Sequence, residues 1–298
     1  MGKIEIPNDY VYISDIEEIK KLLRYMLREY HALCEKNGLF YNVFGGTMLG
    51  AVRHQGMIPW DNDIDVTMPR PDYEKFVRMI KNSEKSEFDI LCYPQKNYSY
   101  PFAKLVLKNT VLFELPRKKK YQKIGLYIDI FPVDGYPIKN EKRTLKKLDT
   151  LKYLREQAVL LHGDKNNILI RKMKEVLSAL LELPGVGFYL NKEIKIQKKT
   201  DYEKAEYVFL QGAGWGEKGK IKKSIYLNRK EYEFDGFKVW GIEDYDQHLS
   251  RLYGDYMQPP ALDKRTANHD YELYVQDKLV QKILGRNEND NRIYNRGI

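Results

Sequence analysis

The 298-residue chain predicts a mixed α+β fold, a short mixed sheet flanked by helices with further helices added to it. Three observations point there. Apolar residues recur at helical spacing from Ile16 to Leu33. Short apolar runs bounded by turn residues follow at Phe88–Tyr93, Phe102–Leu107, Val111–Glu114 and Ile124–Phe131. From residue 140 to about 199 the composition becomes helical and basic. At this length the chain buries a sizeable core, as one large domain or one domain with a helical addition. The division expected is a core over 1–139, a basic helical insertion over 140–230, and a C-terminal segment, 231–298, that packs on the core.

Ser14-Asp-Ile-Glu17 fits a capping box for the first helix, whose apolar positions are Ile16, Ile19, Leu23, Met26, Tyr30 and Leu33. Asn37-Gly38 ends it, and Leu39–Phe44 reads as a strand running into Gly45-Gly46. Glycines there let a phosphate approach the backbone, and Thr47 opens a short helix whose N-terminus favours anions. Arg53 and His54 close that helix. Arg53 suits a phosphate as well as it suits solvent, whereas a histidine such as His54 is more often packed or hydrogen-bonded than a ligand.

Asp61, Asp63 and Asp65 follow at alternate positions. If Asp63–Val66 is a strand, Asp63 and Asp65 share one face, Asp61 joins them by parity, and Asn62 faces away. Adjacent carboxylates repel unless a cation lies between them, and hard oxygen ligands suit Mg2+ or Mn2+, which also hold phosphates. An Asp-x-Asp pair alone is usually a solvated turn. Preceded by a strand, Gly-Gly-Thr and a short helix, it reads as a metal-dependent phosphoryl-transfer site. Pro71–Ile80 is a further helix with Asp72 in its first turn.

Asp129, between Ile128 and Ile130, is a carboxylate in an apolar strand, which costs free energy unless it is paired or metal-bound. Asp134, before Gly135, reads as a turn residue. Val176–Leu190 is the most apolar stretch, but Glu182 and Pro184-Gly185 break it below membrane-spanning length. A helical pair packed in the core is expected, although flanking lysines also suit peripheral contact with an anionic membrane face. Glu231–Trp240 is a hairpin turning at Asp235-Gly236. From Glu272 onward little is legible, and Asn287–Asn295 looks like a polar, frayed end.

The run from Gly45 through Trp60 to Asp65 closely resembles the signature of the LicD family, phosphocholine transferases and their relatives with a nucleotidyltransferase fold. Ile128-Asp-Ile-Phe-Pro132, Leu252-Tyr-Gly-Asp-Tyr-Met257 with Pro259-Pro260, and Arg265 to His269-Asp270 resemble the family pattern too. Asn62 stands where the family usually has Asp. The resemblance implies a nucleotidyltransferase-like core and a metal held by Asp63, Asp65 and Asp129, with Asp129 alternatively the general base. It also implies a donor site formed by Gly45, Gly46, Thr47, Arg53, Trp60, Asp61, Lys104 and His269. The acidic residue that family members often carry shortly after that lysine is replaced here by Leu107-Lys108. The implied reaction moves phosphocholine, or another phospho-alcohol, from a CDP-activated donor such as CDP-choline to a glycan hydroxyl and releases CMP. The acceptor would be a lipopolysaccharide, teichoic-acid or capsule precursor, some of them lipid-linked.

Net charge of +9 and a pI near 9.1 favour anionic partners, but nothing resembles an RNA-binding module. Cys34 and Cys92 cannot form a disulfide framework and read as buried apolar residues in a reducing compartment. The first residues carry no apolar signal core, so a cytoplasmic protein is expected. Among 24 tyrosines and three tryptophans, Trp60, Tyr100, Trp215, Trp240 and Tyr256 are candidates to enclose a quaternary ammonium. Two other functions compete: a nucleotidyltransferase that leaves the nucleotide on a small molecule or RNA, and a non-catalytic binder of a choline-bearing glycan.

Overall fold

The computed structural model describes residues 6–161, 168–209, 216–267 and 269–286. A short strand, β1 (Tyr10–Ile13), precedes helix α1 (Ile16–Lys36). Asp15, rather than Ser14, caps α1, because its carboxylate accepts the Glu18 N–H at 3.0 Å. Leu22, Leu23, Met26, Leu27 and Tyr30 bury one face of α1, and Gly38, at φ 58°, takes the left-handed turn beyond it. The strand expected from Leu39 shortens to β2 (Asn42–Val43), followed by α2 (Gly45–His54), β3 (Asp65–Pro69) and α3 (Arg70–Lys81).

β4 (Phe88–Leu91), β5 (Ala103–Leu107) and β6 (Thr110–Glu114) lie close to expectation. The run from Ile124 does not form one strand. After α4 (Lys119–Gln122) it divides at Gly125 into β7 (Lys123–Ile124) and the wholly buried β8 (Tyr127–Gly135). Asp134 therefore lies inside a strand rather than a turn. It accepts two hydrogen bonds from Arg70, one from Nε at 2.7 Å, tying the far ends of β3 and β8 together.

The basic helices are α5 (Glu141–Val159), α6 (Ile168–Glu182) and α7 (Val186–Gln197). β9 (Tyr207–Phe209), β10 (Lys220–Lys222) and α8 (Lys223–Leu227) return to the core, so the 140–230 stretch is not helical throughout. The hairpin is β11 (Arg229–Phe234) and β12 (Phe237–Ile242), with Asp235 and Gly236 both at positive φ, as a type I′ turn requires. α9 (Tyr245–Tyr253), β13 (Tyr271–Gln276) and α10 (Asp277–Leu284) complete the described chain.

β8 is the spine of the main sheet. It pairs in parallel with β3, antiparallel with β5 along Tyr127–Ile130, and antiparallel with β9 at Asp134–Gly135. β2 lies antiparallel on β3, while β4 and β10 extend β5 and β9. The sheet is mixed and sits in a mixed α+β fold. A second sheet, ordered β1-β13-β6-β7, was not anticipated. One of its two inner strands, β13, runs into the tail that looked illegible.

α6 departs from expectation. It follows α5 and turns into α7 at Pro184-Gly185, yet it does not pack its apolar side into the core. Ser178 is its buried residue, whereas Leu169, Met173, Val176 and Leu180 are between 57% and 69% exposed. Among the described residues no helix is long and apolar enough to cross a membrane.

Candidate active site

β3 and β8 bring the carboxylates together. Their parallel register sets Asp65 directly beside Asp129, and the Asp129 N–H donates to Ile64 O at 2.9 Å. Asp61 and Asp63 lie before the strand rather than in it, but both line the same cleft as Asp65. The start of β3 is pinned by Thr47, whose Oγ1 accepts the Asp65 N–H at 2.9 Å.

Both glycines serve clearance for these acids. A Cβ on Gly46 would lie 2.8 Å from Asp61 Oδ2, and one on Gly45 3.2 Å from Asp65 Oδ2, with Gly45 already at φ 55°. They also open α2, whose first N–H groups receive no side-chain cap from Phe44.

The cleft has a volume of about 720 Å³. Asp61, Asp63 and Asp65 form its acidic side, and Gly46, Arg53, Trp60, Tyr253, Lys264 and His269 also line it. Arg53 Nη1 donates to Tyr256 O at 2.6 Å, which fixes its guanidinium, and Arg265 stacks 5.1 Å above the Trp60 ring. Burial and neighbouring Arg265 lower the Arg53 pKa, an electrostatic load that an anion would relieve.

His269 comes from 206 residues away to bond Asp63 Oδ2 through Nε2 at 2.9 Å. Asn62 holds it there. Its amide donates to His269 O at 2.9 Å and accepts the His269 N–H at 3.2 Å. The Asn62 amide is thus spent on the His269 backbone, and an aspartate there would lack the donor.

Electrostatics separate the acids. Burial pushes the Asp65 carboxyl well above the usual range, and the charges of Asp63, Asp129 and Asp61 push it further. Burial also raises Asp63, but the bonds from His269 and Asp61 outweigh it and hold Asp63 below its ordinary value. Burial raises the Tyr253 phenol, with Asp65, Asp61 and Asp63 adding to it.

Asp129 stands behind the cleft lining. Lys104 Nζ donates to its Oδ1 at 2.7 Å, and Lys104 is itself buried, lying 3.3 Å from the centre of the Tyr127 ring. Lys104 therefore neutralises Asp129 from within the core instead of facing the cleft. Glu114, 3.9 Å from Lys104, begins a charge ladder, buried except at half-buried Glu156, through Arg117, Glu156 and Arg155 to Glu193.

These donors bear on a divalent metal. Hard carboxylate oxygens fit Mg2+ or Mn2+. Among the described residues, no three acidic, imidazole or thiol groups are placed to share an ion, and Asp129 is already bonded to Lys104. Two protein carboxylates suffice where substrate phosphates complete the shell. The set that fits is drawn from Asp61, Asp63 and Asp65.

The aromatic candidates scatter. Trp60 lines the cleft. Tyr100 bonds Glu114, Trp240 donates to Glu35, and Tyr256 donates to Asp246. Trp215 lies outside the described residues. Tyr253, Gln258, Pro260, Lys264 and Thr266 line the cleft without having been singled out. For three of these the signal was present, in the Leu252–Pro260 stretch.

Residues 38–159, which carry Asp61, Asp63, Asp65 and Asp129, match the family model described as LicD/FKTN/FKRP, nucleotidyltransferase domain. Over 269 residues the chain is 30% identical to the lipopolysaccharide cholinephosphotransferase LicD of Haemophilus influenzae, spanning 84% of this chain and 94% of that protein. Fold, cleft and likeness together define a phosphotransferase, and an enzyme rather than a passive binder. More narrowly, the chain belongs to the LicD family. Uncharacterised proteins of Rickettsia prowazekii and Rickettsia typhi are 31% and 32% identical over 43% and 46% of this chain, covering 48% and 45% of their own lengths.

Proposed function

We propose that the enzyme transfers phosphocholine from CDP-choline to a hydroxyl of a lipopolysaccharide-type glycan, releasing CMP, on the cytoplasmic side where nucleotide-activated donors are made. The acceptor oxygen attacks the choline-bearing phosphorus, the bridging pyrophosphate bond breaks, and its oxygen leaves with CMP. The hydroxyl proton passes to a carboxylate of the cleft.

One observation carries this reading: three carboxylates and two cationic side chains, Arg53 and Lys264, line a single cleft together with Trp60. Arg53 and Lys264 bind the donor phosphates, and the open N-terminus of α2 adds N–H donors beside Gly46. Trp60 and Tyr253 offer aromatic surface to the quaternary ammonium. Asp63 and Asp65, with Asp61 beside them, would hold a divalent metal that neutralises the pyrophosphate. His269 orients Asp63, and Lys104 balances Asp129 so that Asp65 is not driven still higher. Most of the rate comes from positioning and charge stabilisation.

The test is CMP release from a panel of CDP-alcohols with a lipopolysaccharide acceptor, with Mg2+, with Mn2+ and after chelation, comparing wild type with Asp63→Asn. Release from CDP-choline, lost on chelation and in the variant, is expected. Release from CDP-glycerol or CDP-ribitol alone would overturn the choline assignment, and nucleotide left on the acceptor would overturn the reaction class.

A further inference from the structure

We infer that α6 is a docking helix that lies flat on an anionic lipid surface. Its polar side faces the protein. Ser178 Oγ donates to Gln157 O at 2.7 Å, and Glu182 accepts bonds from Lys118 at 2.8 Å and Tyr121 at 2.9 Å. Its apolar side faces outward, the reverse of a helix packed on a globular core.

Stepping 100° per residue, Leu169, Met173, Val176, Leu177 and Leu180 fall within an arc of about 100°, the width of a buried helical stripe. Every one of them is exposed, Leu177 least at 48%. Leu183, at the turn that follows, is 79% exposed. On the same projection Lys172 and Lys174 flank this arc on opposite sides, and both are exposed. An apolar stripe edged by lysines complements a bilayer with negative headgroups: the leucines enter the acyl boundary and the ammonium groups meet the phosphates.

Length fixes the orientation. Fifteen residues rise about 22 Å, short of the roughly 30 Å hydrocarbon core, so α6 lies along the interface and does not cross it. A second copy of the chain fits less well, because pairing would set two lysine-edged stripes against each other. α5 and α7 brace α6 from the side away from the lipid, and their anchoring Arg155–Glu193 ion pair is buried.

The full-length protein should co-sediment with vesicles of phosphatidylglycerol and phosphatidylcholine and not with phosphatidylcholine alone. Val176→Asp/Leu180→Asp and Lys172→Glu/Lys174→Glu should each lower partition more than about tenfold. Their melting temperatures should stay at the wild-type value, since the altered side chains are exposed. Equal binding by the variants, equal binding to both vesicle types, or no binding by wild type overturns the assignment. So does a wild-type dimer that the aspartate variant converts to monomer without any vesicle binding. Vesicle binding is read without turnover, so its failure leaves the transfer reaction untouched.

Discussion

Replacing Lys104 by methionine keeps most of its stem among Tyr100, Phe102 and Tyr127 and removes only the charge. Asp129 then loses the partner 2.7 Å away, and Glu114 loses the one at 3.9 Å, both inside the core. Removing one member of a buried ion pair costs about 3–5 kcal/mol, because the other charge stays buried. For a chain of this size that lowers the thermal midpoint by about 6–20 °C. The deficit should depend on pH with a definite sign. Burial raises the Asp129 carboxyl and Lys104 holds it down, so without Lys104 it rises further above its unfolded value. The folded variant then binds a proton more readily than the unfolded chain. Its stability is best below the unfolded carboxyl value and falls as pH climbs through the folded one. Denaturant melts in chelator at about pH 5 and about pH 8 should show the larger deficit at the higher pH. Lys104→Met/Asp129→Asn should recover most of the loss. A deficit below about 1 kcal/mol, or one that is the same at both pH values, would refute the buried pairing.

Gly46→Ala places a methyl 2.8 Å from Asp61 Oδ2. Displacing that acid should lower kcat by about 10²-fold with an unchanged melting curve, which steady-state CMP release would check. Asn62→Ala leaves the His269 backbone N–H and C=O without their partners. A loss of about 1–3 kcal/mol in urea unfolding, together with a fall in kcat, is expected. Glu182 is raised by burial, but bonds from Lys118, Tyr121 and Lys120 overcome this and bring it to about 2. Its contribution is present above the unfolded value of 4.5 and disappears as pH falls from there toward 2. Solvent screening keeps it near 1 kcal/mol, so the stability gap between wild type and Glu182→Gln should close over that window in urea titrations.

What the sequence made legible was local. The turn at Asp235-Gly236 and the helix stop at Asn37-Gly38 are set by residues adjacent in the chain, whereas the strand expected from Asp63 begins only at Asp65. The placement of that turn and that stop followed from turn chemistry. The capping box at Ser14 failed by one residue because Asp15 offered an equally good acceptor one position later. β13 alternates buried Leu273 and Val275 with half-exposed neighbours, a signal masked by the polar residues around it. Long-range pairings left no such mark. Neither the bond between His269 and Asp63 nor the retreat of Lys104 behind Asp129 has a local cause: Asn62, 207 residues away, holds the His269 backbone, and the register of β5 on β8 sets Lys104 beside Asp129. α6 misled for a simpler reason. Hydrophobic periodicity states how wide an apolar face is, and only the fold states which way it turns.

The charge ladder behind Asp129 bears on how this enzyme can be rearranged. From Asp129 through Lys104, Glu114, Arg117, Glu156 and Arg155 to Glu193, sign alternates at every rung. Its first four members belong to the sheet and the loop after β6, and its last three to α5 and α7. α5 and α7 therefore close a circuit that ends at Asp129, behind the acidic cleft. A chimera that exchanges 140–200 with a relative must keep Arg155, Glu156 and Glu193, or else alter Arg117 and Glu114 in the recipient. A graft that ignores them would strand a guanidinium in the core and send the imbalance back along the ladder to Asp129.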